Sequence, residues 1–250
     1  MSEYAVYLDD SGHPDDKPYV VVAGFLASET QWLACEPEWR AALQKHNLGT
    51  VFHMADFEAR KLRNRAPILD ELTDIINSHT QAHFSAAVSM RVYRRVNSSR
   101  PLEEAIGTPY SICARVIAHN LEPWKRKHLH PNDTLLVFVE DGTKHKGDME
   151  EAFRRDGLPI PQAVPKAHPR AQPGDLLAWE FFHFRNTGIR RRSLIKLLDG
   201  RDFAHGNMDD ERKLIDACDL YNLPLRKDIP AGATFAFHST PKRKRRRTIH

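Results

Sequence analysis

The chain opens with two short apolar runs of strand character. Tyr4 to Leu8 alternates aromatic and aliphatic residues and stops at the turn cluster Asp9-Asp10-Ser11-Gly12-His13-Pro14. Tyr19 to Leu26 is rich in valine and predicts a second strand, so the polar loop between the two predicts a hairpin. Ser28-Glu29-Thr30-Gln31 then reads as a helix start, before Trp32, Leu33, Trp39 and Leu43, with Gly49 beyond its end. Val51 to Phe57 is an apolar patch holding the polar residues His53 and Asp56. Pro67 to Asn77 carries Ile68, Leu69, Leu72, Ile75 and Ile76 on one helical stripe. His83 to Val92 predicts a third strand, and Glu103 to Trp124 a long helix with Tyr110, Cys113, Val116, Ile117 and Leu121 turned inward.

The second half follows the same logic. Leu135 to Val139 is five consecutive apolar residues and predicts a central strand covered on both faces. Met149 to Arg155 is a short helix, and Leu158 to Pro173 carries five prolines, which predicts an extended connection with room for one short strand. Asp175 opens an apolar helix containing Leu176, Leu177, Trp179, Phe181, Phe182 and Phe184, an aromatic stretch expected to face the core. Helices over Arg192–Leu198 and Asp209–Leu220 and a last short strand at Phe235-Ala236-Phe237 complete the pattern. No internal repeat and no linker interrupts it, so residues 1–238 are expected to form one domain and 239–250 a basic, disordered tail.

Composition narrows the class. Of 250 residues, 41% are hydrophobic and 28% charged, a globular balance. No run approaches a membrane span, and Met1-Ser2-Glu3-Tyr4 does not read as a secretory leader. The three cysteines, Cys35, Cys113 and Cys218, are widely spaced, which fits a reducing, cytoplasmic setting. The net charge of +4 misleads: the run Lys242–Arg247 supplies six positives, and without it 31 basic residues face 33 acidic ones. That run is expected to be a solvated tail, serving to bind phosphate backbones or a protein partner, as a localisation address, or for solubility alone.

The candidate chemistry is carboxylate chemistry. Two apolar strands end in an acidic pair and a turn, at Asp9-Asp10-Ser11-Gly12 and at Glu140-Asp141-Gly142, and Asp175 follows Pro173-Gly174 at a helix start. Each alone is explained by turn or cap chemistry. If the strands are neighbours, however, their ends lie roughly 5 Å apart and the carboxylates repel. A hard divalent cation, Mg2+ or Mn2+, would resolve the conflict, and two such ions can clamp a phosphodiester. Phosphate-binding loops, dinucleotide-binding glycine turns, nucleophile elbows and His-Glu-x-x-His zinc sites are all absent.

Four segments resemble motifs of the bacterial family known as domain of unknown function 3800, within the ribonuclease H-like superfamily. They are Tyr7-Leu8-Asp9-Asp10-Ser11-Gly12, Phe52-His53-Met54-Ala55-Asp56-Phe57, Val139-Glu140-Asp141-Gly142 and Gln172-Pro173-Gly174-Asp175-Leu176-Leu177-Ala178. The resemblance spans roughly residues 4 to 185. The family more commonly has Glu where Asp10 stands and Asp where Glu140 stands, so both Glu140 and Asp141 are open as ligands. The resemblance implies a ribonuclease H-like α/β fold, a mixed sheet flanked by helices, with extra helices at the C-terminal end. It also implies a metal-dependent nucleic-acid hydrolase linked to mobile elements or phage defence.

The expected catalytic set is therefore Asp9, Asp10, Glu140, Asp141, Asp175 and His53. Asp9, Glu140 and Asp175 are the expected ligands of two Mg2+ or Mn2+ ions, with Asp9 between them. His53 is read either as orienting a water, supported by Asp56, or as a satisfied core histidine. Glu180 and the pair His128 and His130 are weaker candidates. Arg185, Arg190, Arg191 and Arg192 are the expected phosphate contacts, on DNA or RNA. The rival reading is a nucleic-acid-binding or sensing protein that keeps the scaffold and has lost turnover.

Overall fold

A computed structural model describes residues 2–60, 62–141, 146–155, 159–199 and 202–229. The strands are β1 (Glu3–Ser11), β2 (Tyr19–Ser28), β3 (Ala82–Ser89), β4 (Thr134–Glu140), β5 (Gln162–Val164) and β6 (Asp202–Met208). The helices are α1 (Glu29–Lys45), α2 (Met54–Ala59), α3 (Arg65–His79), α4 (Met90–Ser99), α5 (Leu102–Ala105), α6 (Pro109–His128), α7 (Lys146–Arg155), α8 (Gln172–Thr187), α9 (Arg192–Leu198) and α10 (Glu211–Leu220).

All six strands form one sheet in the order β5-β4-β1-β2-β3-β6. β2 is antiparallel to both its neighbours, while β1 and β4, β4 and β5, and β3 and β6 pair in parallel. Only β2 therefore runs against the rest. The result is a mixed α/β sheet with helices on both faces, the sheet arrangement expected from the sequence. Side chains alternate along each strand, so one sheet builds two cores. Val6, Leu8, Val22, Phe84 and Val137 pack under α4, α6, α7 and α10. Ala5, Tyr7, Val21, Phe25 and Ala87 pack under α1, α2, α3, α8 and α9.

Several boundaries differ from the sequence pattern. The third strand ends at Ser89, and Met90 to Ser99 is helical: Val92, Tyr93 and Val96 are buried at helical spacing between the exposed arginines. The long helix is divided into α5 and α6, because Gly107 adopts φ +117° and Thr108 caps the second with its side chain on Ser111 N. Phe52 to Phe57 folds as the short helix α2 at its end. β4 is not central. It lies next to the three-residue β5, and Leu135, Leu136 and Phe138 are only half-buried. Asp175 does not cap α8, which begins at Gln172; it sits one turn inside. β6 has no counterpart in the sequence pattern. The expected strand at Phe235-Ala236-Phe237 and the basic tail lie outside the described residues.

The hairpin is tight enough to demand glycine at one position. Gly24 faces Leu8 across β1 and β2, and a Cβ there would stand 1.9 Å from the Tyr7 carbonyl oxygen. Backbone, not a movable side chain, is in the way. Gly24→Ala is expected to lower stability by about 2 kcal/mol, read from the urea unfolding midpoint. An unchanged midpoint would mean that the strands are not held this closely.

Candidate functional site

The parallel pairing of β1 with β4 fixes the first part of the site. Leu8 pairs with Val139, so Asp9 and Glu140 follow side by side at the carboxyl ends of neighbouring strands. Both share the sheet face of Tyr7 and Phe138, whose rings stack at 4.7 Å. Asp10 turns to the opposite face, toward Tyr110 of α6, whose hydroxyl donates to the Gly12 carbonyl at 2.7 Å. Asp141 continues β4 with its backbone N–H on Val164 O at 2.7 Å and its side chain exposed.

α8 supplies the second part. Its first turn lies against β1: a Cβ on Gly174 would be 3.3 Å from Tyr7 O and 3.4 Å from Asp9 N. Gln172 and Asp175 together bind the chain before α2. Gln172 Oε1 accepts from Trp39 Nε1 and from Phe52 N, both at 2.9 Å, and its Nε2 donates to Thr50 O at 3.2 Å. Asp175 Oδ2 accepts from Met54 N at 2.5 Å. α2 has no side-chain cap of its own, so this carboxylate does the capping from another helix. The segment around His53 is thus stitched to α8 at two points. His53 Nε2 stands 3.6 Å from Asp175 Oδ1, and its Nδ1 3.4 Å from Asp56 Oδ2. Just before α8, Arg170 pairs with Glu29 at 2.6 Å and Glu36 at 2.5 Å, tying this turn to α1.

The electrostatics follow from burial. Asp9 and Asp175 are each only 6% exposed. Desolvation pushes Asp9 well above the ordinary carboxylate range, and Asp175, Glu140 and Asp10 add to the rise by repulsion. Asp10 is raised to about 6, by burial first and Glu140 next, against a hydrogen bond with Tyr110. Glu140 and Asp175 are also raised by burial. Lys166, 3.9 Å from Glu140, opposes the rise in both, as does His53.

Of the expected residues, the fold brings Asp9, Asp10, Glu140, Asp175 and His53 into one electrostatically coupled group. Asp141 sits beside it but faces outward. The arginines lie further along. Arg185 is ten residues beyond Asp175 on α8, roughly 15 Å of helix. It pairs with Asp209. Arg191 pairs with Glu58 at 2.8 Å and Arg192 with Asp70 at 2.9 Å, while Arg190 is exposed over the Phe184 ring. Glu180 is fully buried and accepts from Ser193 Oγ at 2.5 Å. His128 stacks on Trp124 and pairs with Asp202 at 3.1 Å. Lys166 is the residue the pattern missed: it stands in the proline-rich connection, where no periodicity marks a position.

The donor set suits a hard cation by its chemistry, since every carboxylate in the group offers oxygen. Asp10 Oδ1 is buried with no hydrogen-bond partner among the described residues. As the side chains stand, no group of three or more His, Cys, Asp or Glu among the described residues is gathered closely enough to hold a metal ion. An ion would need their rotamers to close around it.

Comparison with known proteins gives fold likeness at low identity. No family model and no curated protein matches the chain. Among solved structures, the chain is similar to one described as the PCNA:RNase HII complex from Archaeoglobus fulgidus. The identity is 16%, the alignment covers 89% of this chain and 90% of the other, and the TM-score is 0.43. It is also similar to Bst-RNase HIII crystallised with Mn2+, at 11% identity and a TM-score of 0.39, over 79% of this chain. The match spans 64% of the RNase HIII chain. No helix among the described residues is long and apolar enough to cross a membrane.

Two outcomes test this geometry. A carboxyl group raised on folding stabilises the protein only below its unfolded pKa, and that contribution is lost as pH rises through the folded value. The metal-free fold is therefore expected to weaken from pH 4 to pH 7. In EDTA, Asp10→Asn should unfold at higher urea than wild type at pH 7.5, by on the order of 2 kcal/mol, and equally at pH 4. The second outcome concerns the tie between α8 and α1. Gln172→Ala strands the buried Trp39 and Phe52 donors, and about 2 kcal/mol is expected to be lost in the same assay. A loss below 0.5 kcal/mol would mean that the tie is dispensable.

Proposed function

We propose that this protein is a metal-dependent nucleic-acid hydrolase that cleaves phosphodiester bonds, and a member of the domain of unknown function 3800 family. The observation that carries the reading is that Asp9, Glu140 and Asp175, from three separate elements, form one mutually repelling, partly desolvated group. Solvated turns and ordinary caps give no reason to bury three acids together. The four motifs that carry the family resemblance include all three, and His53 with them.

In this reading Asp9, Glu140 and Asp175 hold Mg2+ or Mn2+, with Asp10 behind them. When bound, such ions supply Lewis acidity to an attacking water and to the leaving oxygen. The chain's own residues do the rest. The Met54 N–H occupies Asp175 Oδ2, so the other oxygen, Oδ1, is the one that would meet an ion. His53, held between Asp56 and Asp175, orients a water or touches the scissile phosphate. Lys166 offsets negative charge on the Glu140 side. The substrate is DNA or RNA, and a role in mobile-element or defence systems accords with the family resemblance. One observation favours the second reading, a nucleic-acid sensor without turnover: among the described residues no three-ligand cluster is assembled as the side chains stand.

The experiment separates the two. Purified protein is incubated with single-stranded DNA, duplex DNA and RNA in Mg2+ or Mn2+, beside Asp9→Asn and Asp175→Asn. The enzyme reading expects cutting that EDTA stops and that each substitution reduces roughly a thousandfold, several kcal/mol of transition-state stabilisation. Cutting retained in both variants overturns it, and binding without cutting establishes the sensor.

A further inference from the structure

The carboxyl end of β3 opens onto a groove of about 540 Å3, lined by Lys17, Tyr19, Ser89, Arg91 and Arg94. Three of these are cations, and no acid lines the groove. Strand pairing puts it at the same end of the sheet as the carboxylates. Ser89 stands opposite Tyr19, and Asp9 opposite Ala23, four residues further along β2. Tyr19 packs into the core that holds Tyr7 and Phe138, on the face that carries Asp9 and Glu140. The groove is therefore roughly 10 Å across the strands and 13 Å along them from Asp9. A few nucleotides of a strand bridge that span.

The groups at the start of α4 point to an anion. Its first turn holds no acid, although a helix start favours one. Arg91 stands in that turn instead, where the helix dipole repels a cation. Its guanidinium has no hydrogen bond or ion pair among the described residues. The acids on its other side are engaged elsewhere: Asp209 with Arg185, Glu211 with Arg95, and Asp210 with the Arg212 N–H. Ser89 is the N-cap residue of α4, yet its hydroxyl accepts from none of the N–H groups it could cap. It is only 6% exposed, and its hydroxyl has no partner among the described residues, a costly state for a buried polar group. That hydroxyl is not sealed in the core; it is open to the groove. Arg94 donates to the Pro14 and Asp15 carbonyls, at 2.5 and 3.3 Å, and holds the turn between β1 and β2 against α4. Lys17 stands on the rim, paired with the exposed Asp16 at 3.0 Å.

We propose that the start of α4 binds a backbone phosphate of the nucleic-acid strand, held by the Arg91 guanidinium, the Ser89 hydroxyl and the uncapped N–H groups of the first turn. Phosphate oxygens satisfy all three kinds of donor, and their charge answers a cation placed at the wrong end of a helix. Lys17 adds attraction at the rim. The proposal rests on the nucleic-acid reading above. It moves the phosphate contact from Arg185, Arg191 and Arg192, each paired with an acid, to an arginine that has none.

The test uses the full chain in EDTA, so that binding is read without cutting. Labelled single-stranded DNA and RNA are titrated by fluorescence anisotropy over a series of salt concentrations, with wild type, Arg91→Ala, Ser89→Ala and Arg95→Ala. Arg91→Ala is expected to weaken binding about tenfold and to lower the salt slope by about one. Ser89→Ala leaves the charge unchanged and is expected to weaken binding about fivefold. Arg95→Ala removes the same charge one turn further on, from a residue paired with Glu211, and should change affinity by less than about twofold. Equal losses in Arg91→Ala and Arg95→Ala reduce the effect to general charge and overturn the proposal. Unchanged binding in Arg91→Ala and Ser89→Ala overturns it too, as does a wild type that binds no strand. A second arm separates a strand from a free ion. Replacing single backbone phosphates by neutral methylphosphonates should find one position that weakens wild type and leaves Arg91→Ala unaffected. If no position does so and inorganic phosphate alone shifts the Ser89 amide resonance, the site takes free phosphate and the strand assignment falls. Cutting by wild type with undiminished strand binding in both variants removes this site alone. Weakened binding in both variants of a protein that never cuts leaves the site and removes the enzyme reading.

Discussion

The constraint on which this molecule turns is the burial of like charges. A sheet in which β1 and β4 run parallel must deliver Asp9 and Glu140 to the same edge, and α8 adds Asp175 over them. Water, which would screen these charges, is largely excluded. Much of the surrounding detail answers that cost. Lys166 and His53 lower it by charge, the Met54 N–H by a hydrogen bond, and raised proton affinity absorbs the remainder. A fold seeking only stability would place apolar residues at these strand ends, so the arrangement keeps a cost that packing alone does not call for.

α8 organises the rest. Its first turn fixes the acid and the segment around His53, its middle fills the core with Leu176, Leu177 and Phe181, and its last turn carries Arg185 to Asp209. One rigid element thus spans the distance from the carboxylate pocket to that ion pair. The basic residues that look promising on paper are largely neutralised by nearby acids: Glu58 alone serves both Arg65 and Arg191. That is why charge runs in a sequence do not by themselves mark a phosphate-binding face.

Where local pattern and tertiary context agree, the sequence is readable. β1 and β2 alternate or run apolar with glycine and proline between them, and both strands form, although β1 runs on through Asp9, Asp10 and Ser11, which the pattern assigns to the turn. The Asp9 and Glu140 strand ends were visible as acids breaking apolar runs. Other parts depend on partners that a linear reading does not see. β6, Asp202 to Met208, contains Asp, His, Gly and Asn and becomes a strand through its pairing with β3. Val92 continues the apolar tone of β3, yet its spacing to Val96 belongs to a helix. The ties from Gln172 and Asp175 to Phe52 and Met54 cross about 120 residues, and no period encodes such a link. Glu140 and Asp141 are adjacent acids after one apolar run; β4 ends on Glu140, which is half-buried, and Asp141 beyond it is exposed.

The wide separation of the pocket's contributors has a kinetic meaning. Asp9 emerges first from the ribosome, Glu140 much later, and Asp175 only after some seven-tenths of the chain has been made. Contacts between such distant stretches are slow to close, and the segment that braces His53 stays without its anchor until α8 exists. Biosynthesis therefore withholds the third acid from every nascent fragment shorter than that, so a growing polypeptide cannot bring all three together until α8 has been made.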